Sequence, residues 1–281
     1  MRRLNIKRAC KTLNISRSGF YEYLNRKPSN RSLENEIYCD KIRTIFEEHK
    51  ARYGSMRISK SLEQDGFRIS RPRVARLMRR MNLHAKGTRY HYKYCCKVTQ
   101  DSRPNLLNQV FYATQAKSIW LGDITYIPTT KGTLYLAVYL DIYSRKIVGW
   151  SMDTTMKEKL VTDAFLQAYG REHPAAGLIV HSDQGSQYTS DNFRMVLKKH
   201  GAIQSNSRKG NPYDNAMMES FYRTLKRELL TDQPFVTPDQ AKLAVFEYIE
   251  LYYNTKRMHS SLGYVSPVQF EDQNHGSEKF S

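Results

Sequence analysis

Residues 118–153 hold three runs rich in β-branched and aromatic side chains: SIWLGDITYIP from Ser118, TLYLAVYLDIYS from Thr133 and RKIVGWSMD from Arg145. Short turns at Lys131-Gly132 and Ser144-Arg145 leave no room for a crossover, so the runs have to be three adjacent antiparallel strands. A helical pattern follows from Lys157 to Tyr169, then a short apolar strand from Leu178 to His181. A second helix over Asp191 to His200 leads into a brief strand, Ala202 to Gln204. The loop SRKGNPYDN then opens a helix with Met217, Met218, Phe221, Leu225 and Leu229 as its apolar set. Strand periodicity and helix periodicity alternating in one stretch predict an α/β domain with a mixed sheet.

The preceding residues have another composition. The chain has 281 residues and a net charge of +18. Residues 1–110 carry 26 Lys and Arg against 9 Asp and Glu, a net of +17, which leaves +1 for the rest. Surplus charge of one sign opposes compaction, so a basic front half joined to a near-neutral back half points to a polyanion as partner. Tyrosines interleaved with the cations suit phosphate contact and stacking on bases.

Two helical units are predicted there. In IKRACKTLNISRSGFYEYLN, Ala9, Leu13 and Ile15 form one apolar face and Ser16 an N-cap, and the next helix turns Phe20, Tyr21 and Leu24 inward. Helix, short turn and helix would let Ser16, Arg17 and Ser18 face a DNA groove. Pro28-Ser29 breaks the pattern. A helix from Leu33 to Glu48 carries Ile37, Ile42, Ile45 and Phe46, and one from Met56 to Gln64 ends at Gly66. A third starts at Ser70 with Pro72 near its beginning, turns Val74, Leu77, Met78 and Met81 inward, and offers Arg71, Arg73, Arg76, Arg79 and Arg80 to phosphates or bases. The expected organisation is a helix-turn-helix-like segment at 1–30, a second at 31–83, a basic linker at 84–112, the α/β domain with a C-terminal helix at 113–275, and a tail at 276–281.

His84, His91, Cys95 and Cys96 have the composition of a zinc site. Adjacent cysteines diverge, however, and chelation uses a spacer of two to four residues. The four cysteines, with Cys10 and Cys39, form no regular framework, which predicts a reducing, cytoplasmic setting. The apolar run Leu134 to Leu140 is far below membrane-spanning length.

Three carboxylates stand where charge is costly. Asp123 interrupts an apolar strand, Asp183 ends another at HSDQGSQYTSD, and Glu219 lies within an apolar helical pattern. Each has a plain structural reading: an edge-strand charge, a turn residue, a solvated helix position. Together, with no basic residue beside Asp123 or Asp183, they would be compensated by a divalent cation, and hard oxygen ligands suit Mg²⁺.

The wording WLGDITYI at 120–127, LYLAVYLDIYSRKIVGW at 134–150, HSDQGSQYTS at 181–190, KGNPYDNAMMESFYRTLKRE at 209–228 and YYNTKRMHSSLGYVSP at 252–267 resembles one group of bacterial transposases. This is the second-frame (OrfB) protein of the insertion-sequence "three" group, within the superfamily of DDE transposases and retroviral integrases. Thirty-five residues separate Asp183 from Glu219, and Lys226 follows seven later. YGSMRISKSLEQDGFRISRPRVARLMRRMNL resembles the group's helix-turn-helix segment. One departure is Gly122, where the group more often has Thr.

The resemblance implies a ribonuclease-H-like integrase core, a mixed five-stranded sheet with flanking helices, preceded by all-α helix-turn-helix segments. It implies that Asp123, Asp183 and Glu219 bind two Mg²⁺ or Mn²⁺ ions and that the protein cuts and joins DNA without a covalent intermediate. Gly185 would let the backbone approach DNA. Asn215, Glu219, Tyr222, Arg223 and Lys226 share a helix face; Asn215 would orient a ligand or phosphate, Arg223 and Lys226 would hold the strand, and Arg208 and Lys209 would lie over the scissile phosphate. The alternative for Arg223 and Lys226 is an ion pair with Glu219. Implied partners are double-stranded DNA (the element's terminal inverted repeats and its target), a second copy of the chain, and an upstream-frame (OrfA) protein or a fusion with it. A capping box at Thr237-Pro238-Asp239-Gln240 predicts a last helix packing Leu243, Phe246, Ile249 and Tyr253. For Tyr253, Asn254, Arg257, His259 and Ser260, packing and DNA contact both stay open. Rival readings are a nuclease of the same fold without strand transfer, and a DNA-binding regulator descended from a transposase; the three intact carboxylates argue against the second.

Overall fold

The computed structural model describes residues 6–87, 104–107, 112–208, 215–230 and 235–275. The chain divides into two compact units, Met1–Ala85 and Lys86–Ser281.

The first unit is helical: α1 (Ile6–Thr12), α2 (Arg17–Asn25), α3 (Asn30–Glu48), α4 (Ser55–Gln64) and α5 (Arg71–Arg80). Ser16 caps α2 by accepting from the Gly19 amide, and Ser29 caps α3 through the Ser32 amide. Ile42, Ile45 and Phe46 of α3 share a core with Ile58 and Leu62 of α4 and Val74, Leu77 and Met78 of α5. Gly66 follows α4 at φ 84°, a conformation that costs a side-chain-bearing residue.

Three expectations need correction. No residue of α2 is buried, and Tyr21 and Leu24 are exposed, because two helices of seven and nine residues enclose too little volume for a core. Ile37 is exposed, since only the second half of α3 carries buried residues. Ser70 has the extended backbone of an N-cap, but its side chain makes no capping bond.

The second unit is the predicted mixed sheet. Its strands are β1 (Ile119–Thr129), β2 (Gly132–Asp141), β3 (Ile147–Asp153), β4 (Ile179–Ser182) and β5 (Ile203–Asn206), in the order β3-β2-β1-β4-β5. The first three are antiparallel; β4 runs parallel to β1, and β5 parallel to β4. The crossover from β3 to β4 is α6 (Glu158–Glu172); α7 (Ser186–Thr189) and α8 (Asp191–Lys199) lead to β5. Trp120, Ala137, Tyr139 and Val180 on one sheet face pack with Val161, Ala164, Phe165 and Ala168 of α6 and Phe193 and Leu197 of α8. The β2–β3 turn is held by Asp141, whose carboxylate accepts from the backbone amides of Lys117, Tyr143 and Ser144. Burial outweighs those bonds and pushes the Asp141 carboxyl up to about 6.

The other face carries α9 (Ala216–Leu229) and α10 (Pro238–Phe246). The capping box at Thr237 is formed, with both the Thr237 and Gln240 side chains bonded. The helix continues as a π-helical segment, Glu247–Tyr253, and a 3₁₀ turn, Ser260–Leu262, precedes α11 (Pro267–His275). Ile249 and Tyr253 are buried as expected, whereas Leu243 and Phe246 are 61% and 42% exposed, since α10 buries Ala241 and Val245 instead. No helix among the described residues is long and apolar enough to cross a membrane.

The contact between β3 and α6 is close at Gly149. A Cβ there would collide with the Ala164 carbonyl oxygen and lie 2.6 Å from Ala168 Cβ. Gly149→Ala is expected to destabilise this unit by about 1–3 kcal/mol, the usual cost of overpacking. Both tryptophans, Trp120 and Trp150, lie in the sheet. Urea unfolding followed by their fluorescence therefore reads the loss directly, and an unshifted midpoint would show that the strand and helix separate freely.

Candidate active site

The register of β1 and β4 brings the first two carboxylates together. Gly122 pairs with Ser182, so Asp123, inside β1, and Asp183, just past the end of β4, come side by side. The Asp183 Oδ1 accepts from the Gly185 amide at 3.0 Å. A Cβ on Gly185 would lie 3.0 Å from that same oxygen, so a side chain there would crowd the carboxylate. Gln184 reaches the Ser207 carbonyl and ties this loop to the end of β5.

The helix α9 supplies the rest. Asn215, its N-cap residue, donates from Nδ2 to Asp123 Oδ2 at 2.8 Å, while the other oxygen, Oδ1, accepts from the Ile124 amide at 2.7 Å. The Tyr222 hydroxyl donates to the Asp123 carbonyl at 2.6 Å. Glu219 lies one turn before Tyr222 and is half-buried.

Burial pushes the Asp123 carboxyl well above the ordinary range, and the Asp183 charge adds to the rise; the Ile124 amide and Asn215 work against it, and Glu219 adds a smaller push upward. Burial likewise raises Asp183 against the Gly185 amide. It also raises Glu219, with Arg223 opposing. Among the described residues no ion pair within 4 Å holds Asp123, Asp183 or Glu219. Nor do three His, Cys, Asp or Glu side chains gather there at metal-ligand spacing. Asp123 and Asp183 are thus a close pair, with Glu219 set further off on α9.

Lys226 is not on the surface. It is 1% exposed, with Nζ 4.5 Å from the centre of the Tyr126 ring. Burial lowers its ammonium to about 8, and the Asp123 charge pulls the other way. It is buried rather than offered at the surface, and the Asp123 charge favours its charged form. Arg223 and Arg208 are exposed, and Lys209 lies outside the described residues.

In the first unit, Arg17, Arg71, Arg76, Arg79 and Arg80 are exposed. Arg73 is held against α3 by Asn35 at 2.9 Å and Glu34 at 3.0 Å, with its guanidinium 5.0 Å from the Tyr38 ring centre. It staples α5 to α3. Of the zinc-like set, His84 bonds to Asn82, and His91, Cys95 and Cys96 lie outside the described residues.

The helical front and the mixed sheet with paired acids define a class, and the comparisons agree with it. Residues 113–212 and 219–274 match models of the integrase core domain, and residues 32–92 match an HTH-like domain. The chain is 58% identical to the transposase for insertion sequence element IS904 of Lactococcus lactis subsp. lactis, over 89% of this chain and all of that protein. It is 38% identical to the transposase InsF for insertion sequence IS3A of Escherichia coli K12, over 96% of this chain and 95% of that one. It is also 38% identical to a 31 kDa protein of insertion element IS600 from Shigella sonnei, over 95% and 98% of the two chains. The chain belongs to the IS3 family of insertion-sequence transposases.

The raised carboxyls set a pH dependence. A carboxyl whose folded pKa lies above its unfolded value contributes stability at low pH that is lost as pH rises through the folded value. Divalent-free protein is therefore expected to melt at progressively lower temperature as pH climbs from 4 to 8. Asp183→Asn removes one of the two like charges, so it should raise the midpoint at pH 8 and flatten the slope. Calorimetry across that range in chelator checks this, and a midpoint lower than wild type at pH 8 would contradict the repulsion.

Proposed function

We propose that this transposase cuts DNA at the ends of its insertion sequence and joins them to a target, with Asp123, Asp183 and Glu219 as the catalytic carboxylates. The observation that carries the reading is the Asp123–Asp183 pair: two desolvated acids side by side, with Asn215 and the Ile124 and Gly185 amides fixing their oxygens.

The donor set fits two Mg²⁺ or Mn²⁺ ions. Desolvated carboxylates, one of them raised further by the other's charge, are relieved by divalent charge, and all the donors are hard oxygens. The buried amide oxygen of Asn215 has no hydrogen-bond donor, so the site has a further oxygen to offer. When bound, such ions supply charge stabilisation to the attacking and leaving oxygens of a phosphodiester. The protein's part is orientation. Asn215 and Tyr222 hold Asp123, Gly185 holds Asp183, and the Asp123 charge helps Lys226 keep its proton.

DNA contact is assigned to the exposed Arg17, Arg71, Arg76, Arg79 and Arg80 of the helical units at 1–30 and 31–83, and to Arg208, Lys209 and Arg223 of the second unit. Residues 84–112 serve as a basic linker to the core at 113–275. Two DNA ends call for at least two copies, with an upstream-frame protein as partner, acting in the bacterial cytoplasm.

The test is incubation of the purified protein, with the upstream-frame protein, in Mg²⁺ with labelled DNA carrying the element's own ends. Discrete 3′-hydroxyl cuts and joined products are expected. Asp183→Asn should lower both by more than the roughly 100-fold typical of residues that merely support a ligand. Cutting without joining would reduce the reading to a nuclease. Full activity in Asp183→Asn would end it.

A further inference from the structure

The segment Tyr252-Tyr253-Asn254 to Arg257-Met258-His259 has no part in the site as described, yet it is nearly all buried. It follows the π-helical segment Glu247–Tyr253. A π-turn has more than four residues, so Tyr248, Tyr252 and Tyr253 come to one side, and all three are buried. Tyr253 meets Phe221 of α9 edge to face, centroids 5.0 Å apart. The Tyr248 hydroxyl donates to Glu228, in the last turn of α9, at 3.0 Å.

Two stronger contacts follow. Arg257 grips Glu228 with both arms of its guanidinium: Nη2 donates to Oε1 at 2.8 Å and Nε to Oε2 at 2.9 Å. The two side chains are 4% and 1% exposed. Asn254 exchanges two bonds with the backbone of Ile147, the first residue of the edge strand β3: the Ile147 amide donates to Oδ1 and Nδ2 donates to the Ile147 carbonyl, both at 2.9 Å. One short segment therefore ties α9 to the far edge of the sheet.

A buried ion pair is a poor source of stability, since apolar side chains of similar size would do as well. Its merit is direction: two parallel bonds fix an angle as well as a distance. The other end of α9 is already fixed to Asp123 by Asn215 and Tyr222. Glu219 lies between Asn215 and Tyr222 on the same helix, about 4.5 Å along the axis from Tyr222 and about 13.5 Å from Glu228.

We infer that Arg257, Glu228 and Asn254 are positioning residues that set the rotation and axial placement of α9, and so the placement of Glu219 relative to Asp123 and Asp183. This rests on Glu219 being the third catalytic carboxylate.

The test uses the full chain with three variants. Arg257→Lys keeps the charge and loses the two-point grip. The double variant Arg257→Met with Glu228→Leu removes the ion pair at similar volume. Glu219→Gln is the reference. Each is read by Mn²⁺ binding in paramagnetic resonance, by the Mg²⁺ concentration for half-maximal end cleavage, and by thermal midpoint. Arg257→Lys and the double variant should each weaken Mn²⁺ binding and raise the Mg²⁺ requirement about 10-fold or more, as loss of a ligand's support does. The double variant should do so with a midpoint close to wild type. Added to Glu219→Gln, neither should weaken Mn²⁺ binding further. If Arg257→Lys does not fold, the double variant decides alone. Lower midpoints with wild-type metal requirement would overturn the inference and leave a packing role. If Glu219→Gln itself binds Mn²⁺ and cuts as wild type does, the three-carboxylate reading fails, and the inference with it. If Glu219→Gln is impaired and the others are not, only the inference fails.

Discussion

The second unit is arranged around a repulsion. Parallel pairing of Gly122 with Ser182 sets Asp123, inside β1, beside Asp183, just past the end of β4, where burial raises both carboxyls. Left alone, the pair would take up a proton or push the strands apart. What surrounds it answers that strain in stages. The Ile124 and Gly185 amides and Asn215 donate hydrogen bonds to the carboxylates, and the remaining excess of negative charge is what a divalent ion relieves.

Keeping Lys226 charged carries a cost. Burial lowers its ammonium to about 8, so near neutral pH it holds its proton by a narrow margin, which the Asp123 charge supports. The Tyr126 ring beneath it adds cation–π attraction where no water can serve. The Asp123 charge thus favours the charged form of Lys226. A helix that carries both Lys226 and Glu219 has to be held firmly, and α9 is held at each end.

Much of this was legible in the sequence, for local reasons. Three β-rich runs joined by short turns can only be a meander, and an apolar run ending on Asp183 put the acid at a strand end. Thr237 to Gln240 and Gly66 carried their geometry within four or five residues. What was not legible depends on partners far along the chain. Spacing put Lys226 on the face of α9 that carries Glu219, but whether that face met solvent or Tyr126, a hundred residues earlier, was set by β1. Arg73 read like its four neighbours until Glu34 and Asn35 claimed it. Asp141 looked like one more strand residue, and its three amide bonds appear only once the turn closes. Of YYNTKRMH, the pattern showed only a polar segment. Its work is done on Ile147 and Glu228, neither of which is near in sequence.

Gly122 shows how a departure from the family's wording is absorbed. The resemblance leads to an expectation of Thr there, next to a catalytic candidate. Successive side chains of a strand point to opposite faces, so position 122 faces α6 and α8 while Asp123 faces α9. On that side the Gly122 partner across the ladder is Tyr139, and a Cβ at 122 would lie 2.7 Å from its ring. The ring fills the volume a larger residue would take, and packs edge to face on Phe165 at 5.9 Å. Gly122 and Tyr139 are therefore one packing decision in two residues. It is made within the hydrophobic core, on the face away from Asp123, and the register of β1 against β4 is what places Asp123 beside Asp183.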